Sequence, residues 1–268
     1  MAVLRRGNVG ADVRELQRLL RMRGARIDLT GEFDDATVAA VRAAQARYGL
    51  VVDGLAGPKT LLALQVNGKQ PGQLGADDLR HAAAQLDVKL ASIRAVNEVE
   101  SRGPGFLPDG RPVILFERHI MHRQLRAAGH DADTLARHYP NIVNPKRGGY
   151  MGKAAEHMRL ARALDIDHAC ALASASWGMF QIMGYHWERL GYANVQEFAD
   201  AMRQGEAEQL DAFVRFVLAD PALHKALKGQ KWGAFASIFN GPAYKENFYD
   251  IRLARAFARY DAEEREPV

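Results

Sequence analysis

Residues 90–103 read Leu-Ala-Ser-Ile-Arg-Ala-Val-Asn-Glu-Val-Glu-Ser-Arg-Gly. Ile93, Val96 and Glu100 recur at i, i+3 and i+7, so one helix face is apolar and ends on a carboxylate, with Gly103 placed to stop the helix. Glu98 falls on another face, four residues after Arg94, where an ordinary surface ion pair is expected. Glu100 combines partial burial with a place in the last helical turn, near electronegative backbone carbonyls. Both effects disfavour the ionised form. A carboxyl group that keeps its proton near neutral pH is a candidate general acid, although the pattern alone favours a capping or structural residue.

Helical periodicity continues outward from this stretch, from Ala76 to about Ala262. Alternating strand patterns are not found, and Val113-Ile-Leu-Phe116 is short enough to be a strand or a helix start. Toward the N-terminus, Gln65-Val-Asn-Gly-Lys-Gln-Pro-Gly-Gln-Leu-Gly75 loses periodicity and gathers Gly, Pro, Asn and Gln. The chain therefore divides into a small domain over residues 1–66, a linker over 67–75 and a larger, mainly α-helical domain over 76–268.

In the small domain Val13, Leu16, Leu19 and Leu20 share a helix face, with Asp12 as expected N-cap and Gly24 as stop. A second helix is expected from Asp34 or Asp35 through Tyr48, with Val38, Val41 and Gln45 on one face, and a third from Pro58 to Leu64. Asp28-Leu-Thr-Gly31 and Val52-Asp-Gly54 are similar turns, each ahead of a helix, and make an internal near-repeat.

Apolar residues form 48% and charged residues 25% of the 268, a balance that excludes disordered, collagen-like and disulfide-framework classes. Cys170 is the single cysteine and lies in an apolar stretch without a basic neighbour, which fits a buried, inert thiol. The net charge of +4 favours an anionic partner. Lys and Arg are spread without a basic run, which argues against nucleic acid. No stretch approaches the ~20 apolar residues that span a bilayer, and Met1–Gly7 has no signal-peptide core, so neither stable membrane insertion nor secretion by a leader is expected. His119 and His122 lack a third ligand at metal-site spacing, so no metal and no cofactor are expected.

Leu4–Leu20, Thr30-Gly-Glu-Phe33, Thr37–Val41, Gln45, Tyr48-Gly-Leu50 and Val52-Asp-Gly-Leu-Ala-Gly-Pro-Lys-Thr60 resemble the bacterial peptidoglycan-binding domain of wall hydrolases. Most of these residues set turns and core, Leu16, Leu19, Val41 and Leu50 among the latter. The resemblance implies a shallow groove bordered by the two turns, with Asp28, Thr30, Gln45 and Asp53 as candidate contacts. Each of the four also has a structural reading.

Three further elements stand in order along the larger domain. Val99-Glu-Ser-Arg-Gly103 resembles the Glu-Ser element that carries the acid in goose-type lysozymes and soluble lytic transglycosylases. Ser176-Trp-Gly-Met-Phe-Gln-Ile-Met183 resembles their Gly-Leu-Met-Gln element, and Ile238-Phe-Asn-Gly-Pro242 with Tyr249 resembles their Tyr-Asn-x-Gly element. Gly105–His119 and Asn240-Gly-Pro with Asn247-Phe-Tyr-Asp250 are closer still to the N-acetylmuramidase domain of modular phage endolysins, over roughly residues 80–262.

This resemblance implies a lysozyme-like fold, Glu100 as the acid, and Gln181, Tyr185 and Asn240 along a sugar cleft. Trp177, Trp187 and Phe239 are read as core before sugar platforms, and Phe239 stands where relatives often carry Tyr. Glu117 is the candidate second carboxylate, a base ~6.5–9.5 Å from the acid in an inverting enzyme or a nucleophile ~5 Å away in a retaining one. An ion pair with Arg118 or a neighbour is its equal alternative. The implied activity is hydrolysis of the bond between N-acetylmuramic acid and N-acetylglucosamine in peptidoglycan. A lytic transglycosylase and a non-catalytic wall-binding protein are the alternatives. An endolysin of this kind is expected to be monomeric and held in the host cytoplasm before it acts on the periplasmic wall.

Overall fold

The computed structural model describes residues 3–68, 72–100 and 104–265. It forms two compact units, Met1–His81 and Ala82–Val268. The expected Ser101–Gly103 part of the Glu-Ser element, including the helix stop, lies outside the described residues, as do linker residues 69–71.

The first unit holds α1 (Ala11–Met22), α2 (Asp35–Arg47) and α3 (Pro58–Val66), and the division between the units falls inside α4 (Ala76–Gln85). Val13, Leu16, Leu19, Leu20, Phe33, Val41, Ala56, Leu61 and Leu64 close into one core. Asp12 lies inside α1, whose cap is Gly10, so its contribution is that of an acid in the first turn rather than an N-cap. Asp34 does cap α2, with its carboxylate accepting from Thr37 N at 2.8 Å. α3 runs past the expected Leu64 to Val66, where Asn67 turns left-handed.

The near-repeat has a common device. Gln17, fully buried in α1, accepts from Gly31 N at 2.9 Å and donates to Thr30 Oγ1, Glu32 O and Thr37 Oγ1. Gln45, fully buried in α2, accepts from Asp53 N and Gly54 N and donates to Asp53 Oδ1, Leu55 O and Thr60 Oγ1. A buried glutamine thus threads each turn to the helix that follows it, satisfying backbone groups that a turn leaves unpaired.

The second unit continues with α5 (Leu90–Glu100), β1 (Ile114–Phe116), α6 (Arg118–Ala127), α7 (Ala132–His138), α8 (Ala155–Leu164), α9 (His168–Ala173), β2 (Ala175–Trp177) and β3 (Ile182–Met183). It ends with α10 (Val195–Gln204), α11 (Glu206–Leu218), α12 (Pro221–Lys228), α13 (Trp232–Asn240) and α14 (Tyr249–Arg265). Of the Val113–Phe116 stretch, Ile114–Phe116 is thus a strand and not a helix start. It belongs to an antiparallel sheet of order β1-β2-β3, in which Leu115 pairs with Ser176 and Ser176 with Met183.

α5 packs along α14, and polar groups rivet the pair. Glu98 accepts from Tyr260 Oη at 2.5 Å and pairs with Arg259, while Arg94 pairs with Glu263 at 3.0 Å. The expected Arg94–Glu98 pair is therefore replaced by pairs across the helices, Glu98 with Arg259 and Arg94 with Glu263 and Glu264. Gln209 of α11 is fully buried, accepts from Met179 N at 2.9 Å and donates to Met202 O at 3.0 Å. Gly178, at φ +71, brings the β2–β3 hairpin so close that a Cβ would sit 2.5 Å from this amide. Trp177 is buried and donates its indole N–H to Leu172 O at 3.2 Å. Phe239 packs between Phe213 and Phe235, with ring centroids 5.5 and 5.7 Å away. Both aromatics serve the core.

Candidate active site

Glu100 is the last residue of α5 and is buried, with 7% of its surface exposed. Asn240, the last residue of α13, donates its side-chain N–H to Glu100 Oε1 at 2.9 Å. α13 packs on α14 and α14 on α5, so two helix ends carry the acid and the amide to one point. Residues 140 positions apart in sequence meet there.

Gln181 stands in the β2–β3 turn at φ +53, a left-handed conformation uncommon for a residue with a side chain. Its amide oxygen accepts from Ser176 Oγ at 2.9 Å and its amide nitrogen donates to Gly178 O at 2.8 Å. The side chain closes a hairpin; it does not cap a helix. Tyr185 lies in the 3-10 turn Gly184–His186, half-buried, with the Arg123 guanidinium 5.2 Å from its ring centroid and the His186 ring 4.2 Å away. Burial, followed by the charges of Arg189 and Arg123, pulls the His186 pKa down to about 4.

Glu117 follows β1 directly and is buried. Its backbone N–H donates to Ser174 O at 2.9 Å. Its Oε2 accepts from Tyr150 Oη at 2.8 Å, and Tyr150 Oη in turn accepts from Arg147 Nε at 2.9 Å. Arg147 also places a guanidinium nitrogen 3.6 Å from Glu117 Oε1. His119 Nδ1 lies 3.2 Å from Oε2 but off the hydrogen-bond direction. Burial, reinforced by the bond to Glu117, raises the Tyr150 pKa, which keeps the phenol a donor.

Of the alternative ion pair with Arg118 or a neighbour, the Arg118 pair is not formed, and His119 and Arg147 stand beside Glu117. Arg118 instead donates to the carbonyls of Lys146, Pro140 and Arg147, and so folds the loop that delivers Arg147 and Tyr150. Gly149, at φ +76, lets that loop lie against Arg118. His122 pairs with Asp133 at 2.7 Å. Among the described residues no group of three or more His, Cys, Asp or Glu is arranged to hold a metal ion. Cys170 is buried, and burial, with Asp167 beside it, pushes its thiol up to about 12, which makes it inert.

In the first unit Asp28 and Thr30 are exposed on the first turn, with Thr30 also tied to Gln17. Asp53 is half-buried on the second turn. Gln45 is buried beneath it, its amide fully engaged in holding that turn.

Residues 89–261 match the N-acetylmuramidase family model, and residues 9–64 match that of a peptidoglycan-binding domain. The chain belongs to the N-acetylmuramidase family. Its fold is also that of the Burkholderia AP3 phage endolysin crystal structure, with a TM-score of 0.93 and 58% identity, over 97% of this chain and 100% of the other. No curated protein sequence matches the chain significantly. It is thus a glycoside hydrolase of the N-acetylmuramidase type, with the modular organisation of a phage endolysin and peptidoglycan as substrate.

In this N-acetylmuramidase, sequence reading passed over Tyr150 and Arg147. They lie in a loop with Gly148-Gly149 and carry no periodic signal; contacts from Arg118, and from Glu156 to the amides just after Tyr150, fold them back onto Glu117. His119, by sequence a metal-ligand candidate without a third partner, instead neighbours Glu117.

Proposed function

We propose that Glu100 is the general acid and Glu117 the second catalytic carboxylate in hydrolysis of the β-1,4 bond between N-acetylmuramic acid and N-acetylglucosamine. The observation that carries this reading is the buried Glu100 carboxyl at the negative end of α5 with Asn240 on Oε1. With Oε1 accepting from Asn240, Oε2 is the oxygen that would carry the transferable proton, and the same N–H stabilises the carboxylate left after transfer. Burial and the helix end both favour the neutral form, which can protonate the leaving sugar oxygen.

Glu117 is as buried as Glu100 but has a cationic neighbour. A phenol donates to it and a guanidinium lies nearby, which suits a carboxylate that orients and activates water or stabilises positive charge at the anomeric carbon. Gln181 and Tyr185 border the reacting sugars from the hairpin and the turn after it, Gln181 by shaping backbone rather than offering a free amide.

Residues 1–66 form the wall-binding domain, 67–75 the connector and 76–268 the catalytic domain. Wall contact falls to Asp28, Thr30 and Asp53, with Gln45 holding the second turn beneath them. Among the described residues no helix is long and apolar enough to cross a membrane. The protein acts as a monomer without cofactor or nucleic acid, waiting in the host cytoplasm for access to the wall.

Kinetics of Glu100→Gln and Glu117→Gln on soluble glycan-strand fragments test the assignment. Glu100→Gln should abolish turnover with folding nearly unchanged, since one proton is deleted and shape is kept. Glu117→Gln should reduce kcat about 100-fold or more with little change in KM. Wild-type kcat in either variant would remove that residue from the reaction.

A further inference from the structure

Glu156 opens the first turn of α8 and is fully buried, as is Arg159 one turn later, 2.8 Å away. Neither residue hydrogen-bonds or ion-pairs with Glu117. Yet the two oxygens of Glu156 divide between the two segments that build the Glu117 site. Oε2 accepts from Phe116 N at 3.1 Å, the residue immediately before Glu117. Oε1 accepts from Met151 N at 2.6 Å and Gly152 N at 2.8 Å, the two residues immediately after Tyr150. Arg159 completes the arrangement by donating to Phe116 O at 2.8 Å and to Asn141 O at 2.9 Å.

A buried ion pair is a poor way to gain stability, because desolvation offsets most of its attraction. Here the charges act on backbone. Burial alone would raise the Glu156 pKa, but the amides of Gly152 and Met151, then Arg159 and Phe116, outweigh it and hold the carboxyl below its ordinary range. Four donors converge on one carboxylate, and they come from a strand end, a loop and a helix. A rotation of Glu156 would break its bonds to Phe116 N and Met151 N together, and so release both the residue before Glu117 and the residue after Tyr150.

We propose that Glu156, held by Arg159, is a positioning residue that sets the distance between Glu117 and Tyr150 and so places the second carboxylate for the reaction. This rests on the assignment of Glu117 above. Reacting groups displaced by about 1 Å lose on the order of 100-fold in rate, so the effect belongs in kcat.

The test measures kcat and KM per folded molecule on soluble glycan-strand fragments for Glu156→Gln, Glu117→Gln and the double variant, with folding followed by circular dichroism. Glu156→Gln should lower kcat about 10- to 100-fold with KM within about twofold. Added to Glu117→Gln, it should cost less than about threefold more, because the group it positions is already gone. A merely structural role predicts the same loss in both backgrounds. That result, or an unchanged kcat in Glu156→Gln, would overturn the clamp while the loss in Glu117→Gln still stands. A wild-type kcat in Glu117→Gln would instead defeat the catalytic assignment and the clamp with it. If Glu156→Gln does not fold, Arg159→Lys takes its place with the same expected outcomes, since it keeps the counter-charge but cannot span the carbonyls of Phe116 and Asn141 at once.

Discussion

Glu98 and Glu100 stand two positions apart on one helix and meet different chemistry. Glu98 ties α5 to α14 through Tyr260 and Arg259, whereas Glu100 meets Asn240. Glu98→Gln should therefore keep kcat and lose about 1 kcal/mol of stability in thermal or denaturant unfolding, as expected for a part-exposed charged hydrogen bond. A dead Glu98 variant would contradict the choice of acid. His186 gives a second expectation at this scale. Its folded pKa of about 4 lies below the ordinary 6.5, so between these values the unfolded chain binds more protons. Its contribution is present above pH 6.5 and is lost as pH falls toward 4, and His186→Gln should flatten the thermal midpoint over that window. An unaltered slope would show His186 protonated at no cost. The buried helix-end position of Glu100 was legible in the sequence because it ends a periodic stripe, whereas its role as acid is implied only by the resemblance. Tyr150, 33 positions from Glu117, was not legible, since loop contacts at such separation leave no local pattern.

α1, α2, α3 and α5 were read individually from periodicity and end signals because each carries its signal within one or two turns, whereas the other helices were read only as a general helical periodicity. Strands β2 and β3 were not read, since three and two residues are too few to show alternation. They form because Gly178 lets the hairpin close on Gln209, a long-range packing requirement. The glutamine-pinned turns of the first unit separate support from contact. Gln45→Ala leaves Asp53 N and Gly54 N without their acceptor, and should lower the unfolding midpoint of that unit, by about 1–3 kcal/mol for each group left buried and unpaired. Asp28→Ala removes an exposed carboxylate and should weaken sedimentation with insoluble wall while the unfolding midpoint stays put. If Gln45→Ala unfolded like wild type, the turn would owe its shape to its glycine and proline instead.

At the scale of the molecule, a basic net charge of +4 and a wall-binding unit joined to a hydrolase unit serve one substrate. Deleting residues 1–70 should leave an enzyme that cleaves soluble fragments at a near-wild-type rate but loses activity on intact sacculi, because the tether raises enzyme concentration at an insoluble surface. Equal losses on both substrates would make the first unit a structural support. The chemistry itself is read from the new chain ends. Attack by water leaves a reducing muramic acid end, whereas internal attack by the muramic hydroxyl needs no second carboxylate and leaves a 1,6-anhydro end one water lighter. Mass spectrometry of digested sacculi should find reducing ends with the wild-type enzyme, and their yield should collapse in Glu117→Gln. A digest dominated by anhydro ends, unchanged by Glu117→Gln, would contradict hydrolysis and leave Glu100 to act alone as acid and base.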